Sequence, residues 1–339
     1  MKRRPRILVV GSLVMDLTVT TKVFPHSGET VLGISFQSAP GGKGSNQAVQ
    51  AAKLGADVTM VGCVGQDFYG EALLRSAKEH GVDTAHIQIR STAPTATGTI
   101  ILEEDQTGST QNRIIVVPGA NMEWSPADIE FLRSTIQEYD LVLLQLEIPM
   151  EINQQVAEMA HRAHVPVMLN PAPAAPIPDA LLSCLTYLSP NEHEAAAISG
   201  SSIRKDNPAL MEQDILAVWH YFQEKGIQNL LVTLGDYGAA IVNEESGVQL
   251  SPAVPDVRAA DPTAAGDSFI GAFCTARSCG MALAPALAFA NRTAAITVSR
   301  KGAQPSLPSR EEVLGTIAEN SPLSKQLPEA WNTARSIHS

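Results

Sequence analysis

The chain has 339 residues, 24 basic and 35 acidic, a formal net charge of -11, and 44% hydrophobic residues. That length accommodates one large α/β domain or two small ones, and the acidic balance excludes a general nucleic-acid binder, which carries a basic face. The basic opening MKRRPR precedes an apolar run too short for a signal peptide, and no run approaches the roughly 20 apolar residues of a membrane helix. The expectation is a cytoplasmic protein with no membrane contact. Its four cysteines, Cys63, Cys184, Cys274 and Cys279, form no Cys-x-x-Cys pair and read as reduced thiols.

Taken in chain order, ILVVGSL is a continuous apolar run ending in Gly-Ser, the pattern of a strand buried on both faces. SNQAVQAAKLGA has helical spacing, DVTMVGCVG reads as a strand, and DFYGEALLRSAKEHGV as a helix stopped by Gly81. Between Arg90 and Gly119 the pattern alternates, in TGTIILEE and NRIIVVPG, and with TVTTKVF these predict a small antiparallel accessory sheet. Strand and helix then alternate again. SPADIEFLRSTIQEY predicts one helix opened by Ser and Pro; LVLLQLE, PVMLN, TYLSPN and NLLVTLG are strands. MEINQQVAEMAHRAH, AGDSFIGAFCTARSCG and APALAFANRTAAITVSRK are helices, and the Pro-rich NPAPAAPIPD is a rigid connector. The fold class this implies is α/β: a mainly parallel central sheet with helices on both faces.

Ligands on such folds sit outside the carboxyl ends of the strands. Asp16, Glu147, Asn170, Asn191, Glu194, Thr233 and Gly235 all fall just after predicted strands, and it is the shared location that singles them out. The strongest local signal is AADPTAAGDSFIGAF, where Ala264, Ala265, Gly266 and Asp267 open an apolar helix. Free NH groups and the positive end of the helix dipole make an anion site there. Asp267 is either a plain helix cap or a base that accepts a hydroxyl proton while the NH groups hold a phosphoryl group. The small-residue approach favours the second. Neither glycine cluster is a Walker loop or a dinucleotide fingerprint, since Lys43 is followed by Gly44 and no G-x-G-x-x-G opens a helix after the first strand.

GGKGSNQA, NPAP, SPNEHE, TLGDYG, DPTAAGDSFIGA and SRKGAQPS, in that order and at strand ends, resemble the signatures of the ribokinase-like (PfkB) sugar kinases over roughly residues 6 to 312. The resemblance implies one kinase domain over 6–312 with a small β-sheet lid, its strands from about 14–40 and 95–118. Residues 313–339 form a tail without an assigned role. It implies transfer from ATP to the exocyclic hydroxyl of a pentose, giving D-ribose 5-phosphate, with Asp267 as base and Ala264, Ala265 and Gly266 as the anion hole. The sugar would be held by Asp16, Gly42, Lys43, Asn46 and Glu147. Asn191 and Glu194 would organise Mg2+ and the phosphates; Thr233, Gly235, Gly238 and Gly266 would contact the nucleotide, with Asn291 beside adenine. K+ would sit among Asp261, Thr263, Thr297, Arg300, Gly302 and Ser306, several through backbone carbonyls, as oxygen-only ligation suits a hard cation.

Two residues depart from the family pattern. Val14 stands where bacterial members commonly have Asn in Gly-Ser-x-Asn-x-Asp, and an apolar pocket discriminates poorly against a missing hydroxyl, so 2-deoxyribose or another pentose or nucleoside is the alternative substrate. Ser45 replaces the usual Ala, adding one potential hydrogen bond. A silent sugar- or nucleotide-binding protein is the alternative from another class, against which the Gly266-Asp267 pair stands. The alternating segments around Thr99 to Val117 lead to the expectation of a homodimer through the lid.

Overall fold

The computed structural model describes residues 3–104, 110–329 and 331. The first strand, β1 (Arg6–Val10), leads through a short link into β2 (Val14–Thr21) and β3 (Gly33–Gly41). Then follow α1 (Lys43–Lys53), β4 (Asp57–Gly65), α2 (Phe68–Glu79), β5 (Val82–Arg90), β6 (Thr97–Glu104) and β7 (Thr110–Val117). Next come α3 (Leu132–Thr135), β8 (Leu141–Gln145), α4 (Met150–Arg162), β9 (Val167–Asn170), α5 (Asp179–Leu182) and β10 (Tyr187–Leu188). The last part holds α6 (Glu192–Ser199), α7 (Pro208–Gln223), β11 (Asn229–Thr233), β12 (Ala239–Asn243), β13 (Gly247–Ser251), α8 (Ala265–Ser278), α9 (Leu283–Val298) and α10 (Arg310–Gly315).

Nine strands form the main sheet in the order β13-β12-β11-β10-β9-β8-β1-β4-β5. All are parallel from β11 to β5, whereas β12 and β13 add antiparallel at one edge. Because β1 pairs with β4 on one side and β8 on the other, the strand order reverses there, and the crevice between their carboxyl ends is where such folds bind ligands. Side chains alternate along β1: Ile7 and Val9 join a core with α1, α2, α8 and α9, and Leu8 and Val10 join a second with α4 and α7. Burial on both faces is what makes these strands read as unbroken apolar runs.

The second sheet has the order β3-β2-β6-β7. Its β2/β3 and β6/β7 pairs are antiparallel as the alternation suggests, but β2 and β6 run parallel, each following a strand, β1 or β5, whose carboxyl end lies at the same edge of the main sheet. Its entry is clasped by Asp67, the N-cap of α2, whose carboxylate accepts from the Thr95 NH and hydroxyl and from the Gly70 NH at 2.7–2.9 Å. Burial disfavours that charge, but these bonds outweigh it and hold the carboxyl below its usual range.

Residues 125–139 are not one helix. Ser125 and Asp128 make a capping box over a 3-10 turn, followed by the four-residue α3 and a second 3-10 turn; the Asp128 carboxylate also pairs with Arg90, tying the segment to β5. The chain beyond 312 packs on the body: Ile317, Leu327 and Trp331 are buried, with the Trp331 ring 4.9 Å from that of Phe289 on α9. All four cysteines are free, and no helix among the described residues is long and apolar enough to cross a membrane.

Candidate active site

A cleft of about 1480 Å³ opens between the small sheet and the carboxyl ends of the main strands. Eleven of the residues singled out from the sequence line it: Val14, Asp16, Gly42, Lys43, Asn46, Glu147, Asp261, Thr263, Ala264, Asp267 and Gly302.

Its sugar side is organised by α1. Gly42 caps the helix with φ 89, a backbone region that favours glycine, and a Cβ there would fall 2.7 Å from the Val14 nitrogen. A Cβ on Gly44 would fall 2.6 Å from the Ser12 nitrogen. Those two glycines therefore serve close approach of helix to strand link. Gly41 and Gly98 do something different. Their missing Cβ atoms leave the space in which the Asp16 carboxylate lies, 2.1 Å and 2.8 Å from where those atoms would stand. Burial, followed by the charges of Glu147 and Asp267, pushes the Asp16 carboxyl up to about 7. Glu147 is fixed by the Ser12 hydroxyl and by the Lys43 NH at 3.0 Å. For Lys43, burial disfavours the charge, but Asp267, Glu147 and Glu194 outweigh it and hold the ammonium above its usual range.

Asp267 is buried in the first turn of α8. Its two oxygens accept from Asn46 Nδ2 and Gln47 Nε2, each at 2.9 Å. The Asn46 Oδ1 is buried and has no partner among the described residues. Ala264, just before α8, adopts a left-handed conformation at φ 59 that L residues rarely take. The Ala265 NH is taken by the Pro262 carbonyl at 3.2 Å, so Gly266 and Asp267 are the first-turn residues that have NH groups to offer an anion. A Cβ on Gly266 would meet nothing within 4 Å, so the approach to that turn is open.

The remaining predicted residues do not line this cleft. Asn191 and Thr233 are neighbours through an isolated parallel bridge. Asn191 and Glu194 form a capping box at the start of α6: the Asn191 side chain accepts from the Glu194 NH at 2.8 Å, and Glu194 Oε2 accepts from the Asn191 NH at 2.9 Å. Burial raises the Glu194 carboxyl, and it lies within electrostatic reach of Lys43 and Asp267. A Cβ on Gly235 would meet nothing within 4 Å, while one on Gly238 would strike the Ser251 carbonyl at 2.2 Å. Asn291 donates its amide to the carbonyls of Ser251 and Pro252, which joins α9 to the exit of β13.

The two loops of the candidate cation site do meet. Asp261 accepts from the Thr263 NH and the Gly302 NH, both at 2.9 Å; burial disfavours its charge, but the bonds from Thr263 and Gly302 lower its carboxyl. The Thr297 hydroxyl shares a bond with Ser268, that of Ser306 goes to the Ala303 carbonyl, and the Arg300 guanidinium pairs with Glu312. Ser45 accepts from Gln304 at 2.9 Å, tying α1 to this loop. Among the described residues there is no group of three or more His, Cys, Asp or Glu side chains fit to hold a metal. Mg2+ would therefore rest on phosphates, water and at most one or two carboxylates, which is its usual habit.

The family model for pfkB family carbohydrate kinases matches residues 4–310. The chain belongs to this family. Its curated relatives include the ribokinase of Bacillus subtilis, 41% identical over 307 residues that make up 91% of this chain and 97% of the relative. The Schizosaccharomyces pombe ribokinase is 39% identical, covering 92% and 97%. Among solved structures, Arabidopsis thaliana ribokinase complexed with ribose and ATP superposes with a TM-score of 0.82 at 34% identity, covering 93% of this chain and all (100%) of that one. Thermotoga maritima ribokinase gives 0.79 at 37% identity, covering 92% and 99%.

Proposed function

We propose that this carbohydrate kinase transfers the terminal phosphoryl group of ATP to the 5-hydroxyl of D-ribose, giving D-ribose 5-phosphate. The observation that carries the reading is the Asp267 carboxylate, held by two amides at the N-terminus of α8 and opening into a cleft that also presents Asp16, Lys43, Asn46 and Glu147. In that setting Asp267 accepts the hydroxyl proton, and the α8 NH groups with the helix dipole take up the negative charge of the transferred group. Asp16 and Glu147 accept from sugar hydroxyls, and Asn46 Oδ1 gains the partner it lacks. Mg2+, when bound with ATP, neutralises phosphate charge; Glu194 faces the site from α6. The Asp261 and Gly302 loops behind the α8 turn suit K+, and turnover should rise when KCl replaces choline chloride.

A specific observation favours a second substrate. Val14 lines the cleft and is 5% exposed, placing an apolar wall where an amide would discriminate by hydrogen bonding. Steady-state kcat/KM for D-ribose against 2-deoxy-D-ribose, with MgATP and KCl, separates the two. A ribose preference supports the primary reading, parity or reversal the second, and absence of turnover with both refutes the pair.

The homodimer belongs to the same proposal. Strand β7 is a free edge, and its Ile114, Ile115, Val116 and Val117 are all exposed, as are Ile34 and Phe36 on β3. Such an edge is normally paired or covered, and a second copy of the small sheet would do so. A monomeric mass by light scattering at assay concentration would count against it.

A further inference from the structure

The structure assigns a role to Gln47: it is the positioning residue of Asp267, holding the carboxylate in the orientation from which it takes the hydroxyl proton. This rests on the reading of Asp267 as the base. Gln47 is fully buried, and its neighbour Asn46 already projects into the cleft. Successive residues of a helix point about 100° apart, so the two amides reach the same carboxylate from different sides. Asn46 donates to Oδ2 and Gln47 to Oδ1, each at 2.9 Å. A carboxylate held by one donor still turns about its Cβ–Cγ bond; held by two, it does not.

The orientation of Gln47 is itself determined. Its NH2 has a second acceptor in Asn170 Oδ1 at 3.2 Å, and its carbonyl accepts from Gln145 Nε2 at 2.7 Å. Turning the amide over would set oxygen against the Asp267 carboxylate and NH2 against the Gln145 NH2. Gln145 sits at the end of β8 and Asn170 at the end of β9, so the central sheet fixes the amide that fixes the carboxylate. Helix α1 comes near enough because of Gly271, one turn beyond Asp267 on the same face of α8: a Cβ there would stand 2.9 Å from the Gln47 backbone carbonyl oxygen.

The test is a double-mutant cycle on the full-length protein with saturating MgATP. Gln47→Met keeps the length and removes the donors; kcat should fall about 10- to 100-fold, the scale of a displaced catalytic group, with the sugar KM changed less than about 3-fold. In the Asp267→Asn background the same change should lower the residual kcat no further, because the group it positions is gone. An unchanged kcat in Gln47→Met, an equal fall in sugar affinity, or a full additional loss in the Asp267→Asn background overturns the assignment. Near-normal turnover of Asp267→Asn alone overturns the base reading and the assignment with it. If Gln47→Met does not fold, Gln47→Glu preserves the shape. Its carboxyl reaches Asp267 only by sharing a proton, so kcat should recover as pH is lowered, against the background of the charged groups facing Asp267, namely Lys43 on α1, Asp16 on β2 and Glu194 on α6. A pH profile superimposable on that of the unsubstituted protein overturns it.

Discussion

Asp16→Asn should stabilise the free protein and weaken its hold on sugar. In the folded chain the Asp16 carboxyl rises from 3.8 to about 7, by burial first and then by Glu147 and Asp267. At about 1.36 kcal/mol per pH unit, this places up to about 4 kcal/mol against the ionised form. The folded protein keeps a proton that the unfolded chain has released between about pH 4 and 7. The Asp16 contribution to stability therefore falls as pH rises through that window and levels off above it. Asn has the same shape and no charge, so the variant should gain on the wild type from about 1 kcal/mol at pH 4.5 to about 4 kcal/mol at pH 8, the latter about 4 to 8 °C in Tm. Calorimetry of both ligand-free proteins at pH 4.5, 6 and 8 isolates the difference from every other titrating group. Sugar affinity, by titration calorimetry at pH 8, should fall about 10- to 100-fold, the scale of a lost charge-assisted hydrogen bond. A stability difference that does not change with pH, or a variant less stable at pH 8, would refute the reasoning.

Asp267→Asn should retain sugar binding and lose about two to four decades of kcat in a coupled ADP assay. Gly41→Ala would place a Cβ 2.1 Å from the Asp16 carboxylate; sugar KM should rise about 10-fold or more with kcat far less affected, and an unchanged KM removes Asp16 from the sugar. Val14→Asn should raise the ratio of kcat/KM for D-ribose over 2-deoxy-D-ribose by about 10-fold, measured by substrate competition. Trp331→Ala empties a buried site against Phe289 and should cost about 3 to 5 kcal/mol in urea denaturation, leaving kcat unchanged.

The buried strands were the most legible part of the sequence. DVTMVGCVG coincides with β4 because burial on both faces forces an unbroken apolar run. The parallel β2/β6 pairing left no trace, since register between distant strands has no local signature. Helix α7 is less legible, its buried stripe of Met211, Ile215, Val218, Trp219 and Phe222 interleaved with polar residues, although Asn207 caps it and Pro208 opens it. At the other end, Ser309 and Glu312 form a capping box for α10, whose signal in SREE is short and followed by only one further turn. In the site, Asp267 was legible because small residues before a helix carboxylate are unusual. Gln47 was not, because an amide in an amphipathic helix announces nothing until its partners from β8, β9 and α8 converge. Asn191 and Glu194 show the opposite case, where a motif read as ligand-binding has a local structural use as a helix cap.

The small sheet does not merely cover the cleft. Asp16 is one of its residues, Gly98 and Gly41 shape it from the neighbouring strands, and Gly41 is a single residue from the start of α1. An opening of the sheet would therefore draw the Asp16 carboxylate away from Glu147 and Asp267, which stay with the body. On the proposed sugar-holding role of Asp16, sugar residence time and sheet opening would be one event with one free energy. On that reading, loosening the Asp67 clasp should shorten the dwell of substrate and phosphorylated product alike, at the expense of affinity and with no residue in the cleft replaced.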